Sequence, residues 1–244
     1  MGDPVEEIAK ELASHLPVKN LYEDALKKPA KEIGNITSDI LKTLMLVVAP
    51  IQYFAALQDR FRNFLDKSVR RVPEENRVSP APQILGPVLE GIRFEPEETP
   101  IDEMFSQLLS RSMDTERIEE AHPSYPWLIK QISSDEAVIL LKLKDAEFEY
   151  VYTSSLERNT MRFTRDKTEV DEFPREILQF PQSLSFYMNH LSNLGLAGIY
   201  DYKNQEPICE MIDGGNVQTG TKVFCKYRLT DVGQRFMHAC TDSE

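Results

Sequence analysis

The sequence predicts a mainly α protein in two parts: a helical region over residues 1–132, then an α+β part over residues 133–244. Three observations predict it. Apolar residues recur at helical spacing through most of the first 132 positions. A capping box, Ser133-x-x-Glu136, marks a fresh start. Runs rich in aromatic and β-branched residues, the mark of strands, appear after it. With 244 residues, 41% of them hydrophobic and 28% charged, the chain can bury a sizeable core.

The first expected helix opens at Asp3-Pro4 and carries Val5, Ile8, Leu12 and Leu16 on one face. A second carries Leu21, Ala25, Leu26, Ala30 and Ile33, and fades at Gly34-Asn35. The most apolar stretch, Thr43 to Gln58, has no charged side chain. A basic amphipathic run follows it, with Arg60, Arg62, Lys67, Arg70 and Arg71 around Phe61, Phe64 and Leu65, and ends at Pro73. Val78 to Pro82 reads as a stiff connector, and a short helix is expected from Ile84 to Ile92 despite Gly86-Pro87. Thr99-Pro100 starts the next helix, with Ile101, Phe105, Leu108 and Leu109 on its buried face. His122-Pro123 breaks the chain before a short helix around Trp127 to Ile132.

From Ser133 a helix is expected through Ala137, Leu140, Leu141 and Leu143, followed by a strand from Phe148 to Thr153. Residues 154–172 are polar and show neither period. Ser183 to Leu194 is helical and stops at Gly195. Ile199 to Tyr202 and Val223 to Leu229 read as paired strands joined by a loop containing Asp213-Gly214-Gly215-Asn216. Thr230 caps a last helix with Val232, Phe236 and Cys240 on one face.

Charge is unevenly distributed. The formal net charge is -12, yet residues 1–72 hold 11 Lys and Arg against 10 Asp and Glu. The remainder holds 17 against 30. Backbone binding to nucleic acid needs clustered cations that release counterions, so an acidic C-terminal two-thirds argues against it. Three cysteines without close spacing, Cys209, Cys225 and Cys240, suggest neither a disulfide framework nor a zinc site. Glu6, Glu7, Lys10 and Glu11 interrupt any apolar signal segment, so a cytoplasmic location is expected, with membrane association on activation.

The stretch 43–58 has two readings. It is 16 uncharged residues with Pro50 inside, shorter than the roughly 20 needed to span a bilayer. A buried core helix is one reading. The other is an interfacial helix that uses the basic, Phe-bearing flank 60–71, although Asp59 and Asp66 dilute that flank. Leu46, Val47, Phe54, Arg60, Arg62, Arg70 and Arg71 are the candidate membrane or partner contacts.

In the C-terminal part, Leu194-Gly195-Leu196, a long hairpin, and then Leu229-Thr230-Asp231-Val232-Gly233 before Phe236 resemble a winged-helix layout. That layout implies a groove-reading helix at 183–194. This helix has no Lys or Arg to read guanine or hold phosphate. Arg162, Arg165, Lys222 and Lys226 are the cations that could touch nucleic acid from the neighbouring loop and wing. Use of the layout for protein contacts or packing is favoured.

The histidines, His15, His122, His190 and His238, are scattered, and no phosphate-loop, dinucleotide or nucleophile-elbow motif is present. No catalytic, metal or cofactor residue is assigned. Glu97-Glu98 and Glu119-Glu120 read as solvated charge.

Three stretches together resemble the abortive-infection alpha family of prokaryotic phage-defence proteins. They are LYEDALKKPAKEIG from Leu21 to Gly34, ILGPVLEGI from Ile84 to Ile92, and MFSQLL from Met104 to Leu109. The last runs on through Met113-Asp114 and Ala121-His122-Pro123 into IKQISSDEA from Ile129 to Ala137. The resemblance implies a prokaryotic protein associated with defence against phage and carries over no catalytic residue; the activity is expected to be non-enzymatic. Local structure also accounts for some of these residues, since Gly86 and Gly91 would allow close helix approach. The expectation is an antiviral defence protein acting through a protein partner or the membrane, with an oligomer left open. The alternatives are a winged-helix DNA-binding transcriptional regulator and an enzyme with a spatially assembled site.

Overall fold

The computed structural model describes residues 60–212 and 214–242. The helices expected before residue 34 and the stretch 43–58, with Leu46, Val47 and Phe54, lie outside the described residues. Helix α1 covers residues 60–70. It is followed by α2 (Pro82–Ile92), α3 (Pro100–Ser112), α4 (Tyr125–Ile129) and α5 (Ser134–Asp145). Strands β1 (Phe148–Glu157) and β2 (Arg162–Asp171) form a hairpin, then come α6 (Leu184–Asn193) and β3 (Ala197–Asp201). A second hairpin, β4 (Glu206–Ile212) and β5 (Gly215–Leu229), leads into α7 (Asp231–Cys240).

All pairings in the sheet are antiparallel, and β5 is its spine. β1 runs along one side of β5, from Phe148 opposite Tyr227 to Ser155 opposite Gly220, and β2 lies outside β1. The other side of β5 is shared. Its C-terminal half takes β3, from Ala197 opposite Leu229 to Asp201 opposite Cys225, and its N-terminal half takes β4. Tyr150, Val223, Cys225, Tyr227 and Leu229 are buried and belong to the core.

This sheet corrects the expected fold class. Five strands with helices gathered at one end make an α+β protein, not a mainly α one. The residues 154–172 that showed no period hold the end of β1, from Ser154 to Glu157, and all of β2, and part of the expected loop near 213–216 is already β5. The physical reason is exposure. β2 has no buried residue and β4 is exposed over nearly its whole length, so neither needs the apolar alternation that marks a half-buried strand.

The expected caps form. Thr99 Oγ1 accepts from Asp102 N (3.1 Å), Ser133 and Glu136 close their reciprocal box, and Thr230 Oγ1 accepts from Gly233 N (2.9 Å). Gly195, at φ +71°, ends α6, with Leu196 N bonded to Leu191 O and Gly195 N to Ser192 O. Gly91 lies against the Phe105 ring so closely that a Cβ would overlap it, which bears out close helix approach there. Gly86 faces open space.

Helix α3 is the hub. It packs against α2, α4, α5 and α7, and α7 and α5 both also contact β5. One hydrophobic cluster runs from Phe64 in α1 to Cys240 in α7, unbroken across residue 132.

Candidate functional site

Three polar constellations fasten the helical end of the molecule. The first joins α1 to α3. Asp102, buried in the first turn of α3, takes Arg60 at 2.5 Å and Lys67 at 3.3 Å. Glu103 takes Lys67 at 2.8 Å and Arg71 at 2.6 Å. Burial opposes charge on both Lys67 and Glu103, but their mutual bonds outweigh it. Those bonds, helped by Asp102 for the lysine and by Gln107 and Arg71 for the carboxylate, raise the Lys67 pKa and lower that of Glu103. Carboxylates in the first turn also suit the positive end of the helix dipole. Of the candidate contact cations, Arg60 and Arg71 are therefore committed to α3, while Arg62 and Arg70 are exposed.

The second constellation pins the C-terminus. Arg111 is almost wholly buried. It donates to Ala239 O (2.9 Å), Thr241 O (2.6 Å) and Glu120 Oε2 (2.6 Å). A guanidinium at the carbonyl end of α7 satisfies acceptors that the helix leaves open. Gln107 and Lys144 hold Asp242 just beyond. Between these two constellations lies a cleft of about 570 Å³, bounded by the start of α3, the end of α5 and residues 240–242.

The third constellation was missed in the sequence. Asp135, buried at the start of α5, accepts from Gln179 N (2.7 Å), Phe180 N (2.9 Å) and the Tyr187 hydroxyl (3.0 Å). The neighbouring Glu136, beyond its capping role, lies 2.6 Å from His190 Nδ1. Two acids in the first turn of α5 thus hold α6 and the loop before it. Only the capping box was a signal, since the partners lie more than 40 residues downstream.

The four cations proposed for nucleic acid do not gather into a basic face. Lys222 pairs with Glu169 at 2.5 Å, and Lys226 pairs with Glu147 at 3.0 Å while covering the Tyr202 ring. Arg165 lies over Tyr150 and Tyr152 and donates to the Tyr150 hydroxyl. Arg162 is exposed near the β1–β2 turn. Glu169 in β2 and Glu147 just before β1 therefore already neutralise both lysines.

Burial and the bond to Asp201 (3.1 Å) push the Cys225 thiol up to about 12, and full burial pushes Cys240 well above its ordinary value. Both are thiols, not thiolates, at neutral pH. Among the described residues no three His, Cys, Asp or Glu side chains converge as a metal site, and no helix is long and apolar enough to cross a membrane.

Fold and constellations define an α+β protein whose polar groups chiefly fasten helices to one another. The family model for abortive infection alpha matches residues 54–240, more than half of the chain, and the chain belongs to that family. Neither a curated protein nor a solved structure matches it. Membership places the chain among abortive-infection-type defence proteins, in agreement with the resemblance read from the sequence.

Proposed function

We propose that this is a non-enzymatic phage-defence protein that acts by binding from the cytoplasm, with residues 43–58 as its contact element. The observation that carries this reading is the fastening of α1. Arg60, Lys67 and Arg71 lock it to Asp102 and Glu103, so the helix that follows the uncharged stretch in sequence is fixed in place. Arg62 and Arg70 remain exposed on the same helix, as anionic lipid attraction needs. Family membership supports the defence role, and the neutralised lysines of the sheet direct the reading away from nucleic acid.

The test is co-sedimentation of the full chain with anionic liposomes, beside a dye-release assay. Binding and release are expected, and Val47→Asp should abolish both while the protein stays folded by circular dichroism. Absence of binding would overturn the membrane contact and turn the search to a protein partner. Failure of the protein to protect cells or slow their growth when overproduced would overturn the defence role.

A further inference from the structure

We propose that the far end of the sheet is a self-association surface, where the two hairpin turns meet those of a second copy of this chain across a two-fold axis. Both turns project from the same end. β1 meets β5 as far as Ser155 opposite Gly220, then runs on to its turn after Glu157. β5, being antiparallel, reaches back the same way to its own turn with β4, at Ile212 and Gly215. At its other end β5 leads into α7, so the turns point away from that helix.

Exposed apolar side chains gather on these turns. Met161 is 73% exposed, Phe163 52% and Met211 74%, and Ile208 is exposed on β4. Met161 is also held at φ +54°, a left-handed conformation that a turn ordinarily gives to Gly, Asn or Asp. Local structure does not account for a methionine at this place, whereas a partner that covers it does.

Charge selects the partner. Residues 157–167 at the β1–β2 turn carry four cations against two acids, while β4 carries two acids and no cation. β2 and β4 are the outer strands of this end, with β1 and β5 between them. Three strand spacings separate them by about 14 Å. That exceeds the screening length of about 8 Å, so the two margins do not cancel within one copy. Arg158, Arg162 and Glu210 are exposed, and among the described residues none of the three has an ion-pair partner.

A two-fold axis perpendicular to the sheet sets the basic margin of each copy against the acidic margin of the other, twice over, with Met161 and Met211 between them. A patch that is positive at one margin and negative at the other is self-complementary under that rotation. An external partner would have to carry the same split. The contact is made by turn side chains and not by strand addition, which the register shifts and charges of β2 oppose. Two turns per copy make a small interface, so the pair should form at roughly micromolar concentrations or above and weaken in salt.

The test is sedimentation velocity of the full chain over a concentration series. A monomer–dimer equilibrium is expected. Met161→Asp should raise its dissociation constant about tenfold or more, and Asp tolerates the left-handed backbone there, so the fold is kept. Arg162→Glu and Glu210→Lys should each weaken the dimer, because each sets like charges opposite one another twice. Mixed in equal amounts, these two variants should associate as tightly as the unaltered chain, since the mixed pair restores both contacts. A monomer at every concentration would overturn the proposal, as would a dimer that Met161→Asp leaves intact. Mixed variants, each folded by circular dichroism, that associate no better than either alone would overturn it too. Growth past the dimer would mean an open chain and count against it in the same way. A monomer whose liposome binding falls with Met161→Asp would hand the turns to lipid instead.

Discussion

Helix α3 and strand β2 are of similar length, 13 and 10 residues, and lie at opposite extremes of burial. Every residue of α3 from Met104 to Ser112 is buried, including the polar Gln107 and Arg111, whereas no residue of β2 is. The helical end is held by side chains that each have one correct place. The outer sheet is held by ladder hydrogen bonds that most sequences could make. Stability should therefore be concentrated around α3 and α7, with the outer hairpins free to vary. The exposed edge of β2 is blunted by two register shifts and by Arg162, Arg165, Asp166 and Lys167, devices that discourage pairing with another chain.

The largest effect should come from Arg111→Met. It removes the two hydrogen bonds to carbonyls at the end of α7 and the bond to Glu120, leaving the buried carbonyls without their donor. A loss of about 3–5 kcal/mol is expected in chemical denaturation. A loss below 1 kcal/mol would show that the clamp contributes little and narrow the contrast with the sheet.

Gly233→Ala ranks next. A Cβ at this position would overlap the carbonyl oxygen of Leu196, which is backbone and moves only with the strand that follows. Overpacking of this kind costs about 1–3 kcal/mol, read as a lower Tm. Wild-type melting would mean that α7 can shift away from Leu196 without penalty.

The tie between α1 and α3 has a pH signature. Glu103 has a depressed pKa in the folded protein, so its contribution is present above the ordinary carboxylate value of 4.5 and is lost as pH falls through the lowered one. Lys67 has a raised pKa, so its contribution is full below 10.5 and is lost at higher pH. Both groups are partly exposed, and solvent screening keeps the effect small. Glu103→Gln should flatten the acid limb of the stability–pH curve, and an unchanged limb would remove Glu103 from the account.

The smallest effect is expected at the outer sheet. Phe163→Thr, on exposed β2, should change stability by no more than about 0.5 kcal/mol. A larger loss would mean that the hairpin tips share in the cooperative unit and would break the comparison.

Much of the helical end was legible because its signals are local. Thr99, the Ser133–Glu136 pair and Thr230 cap through bonds that span three residues, and a three-residue spacing can be read directly. The strings around Gly195 and Thr230 were also legible, and the structure joins them, with Thr230 Oγ1 donating to Gly195 O and Thr230 N to Leu196 O. β2 and β4 were not legible. Their side chains face solvent, so nothing in the residue pattern had to alternate.

The constellations divide in the same way. The sequence marked Arg60 and Arg71 as a basic flank, but only folding showed that both are spent on α3. By itself the sequence determined family, helix starts, helix stops and the uncharged stretch, because each is written in neighbouring residues. Tertiary structure decided the five-stranded sheet, the clamp of Arg111 on Thr241 and the grip of Asp135 on Tyr187. Those contacts join residues 130 and 52 positions apart, and such partners leave no period or spacing along the chain.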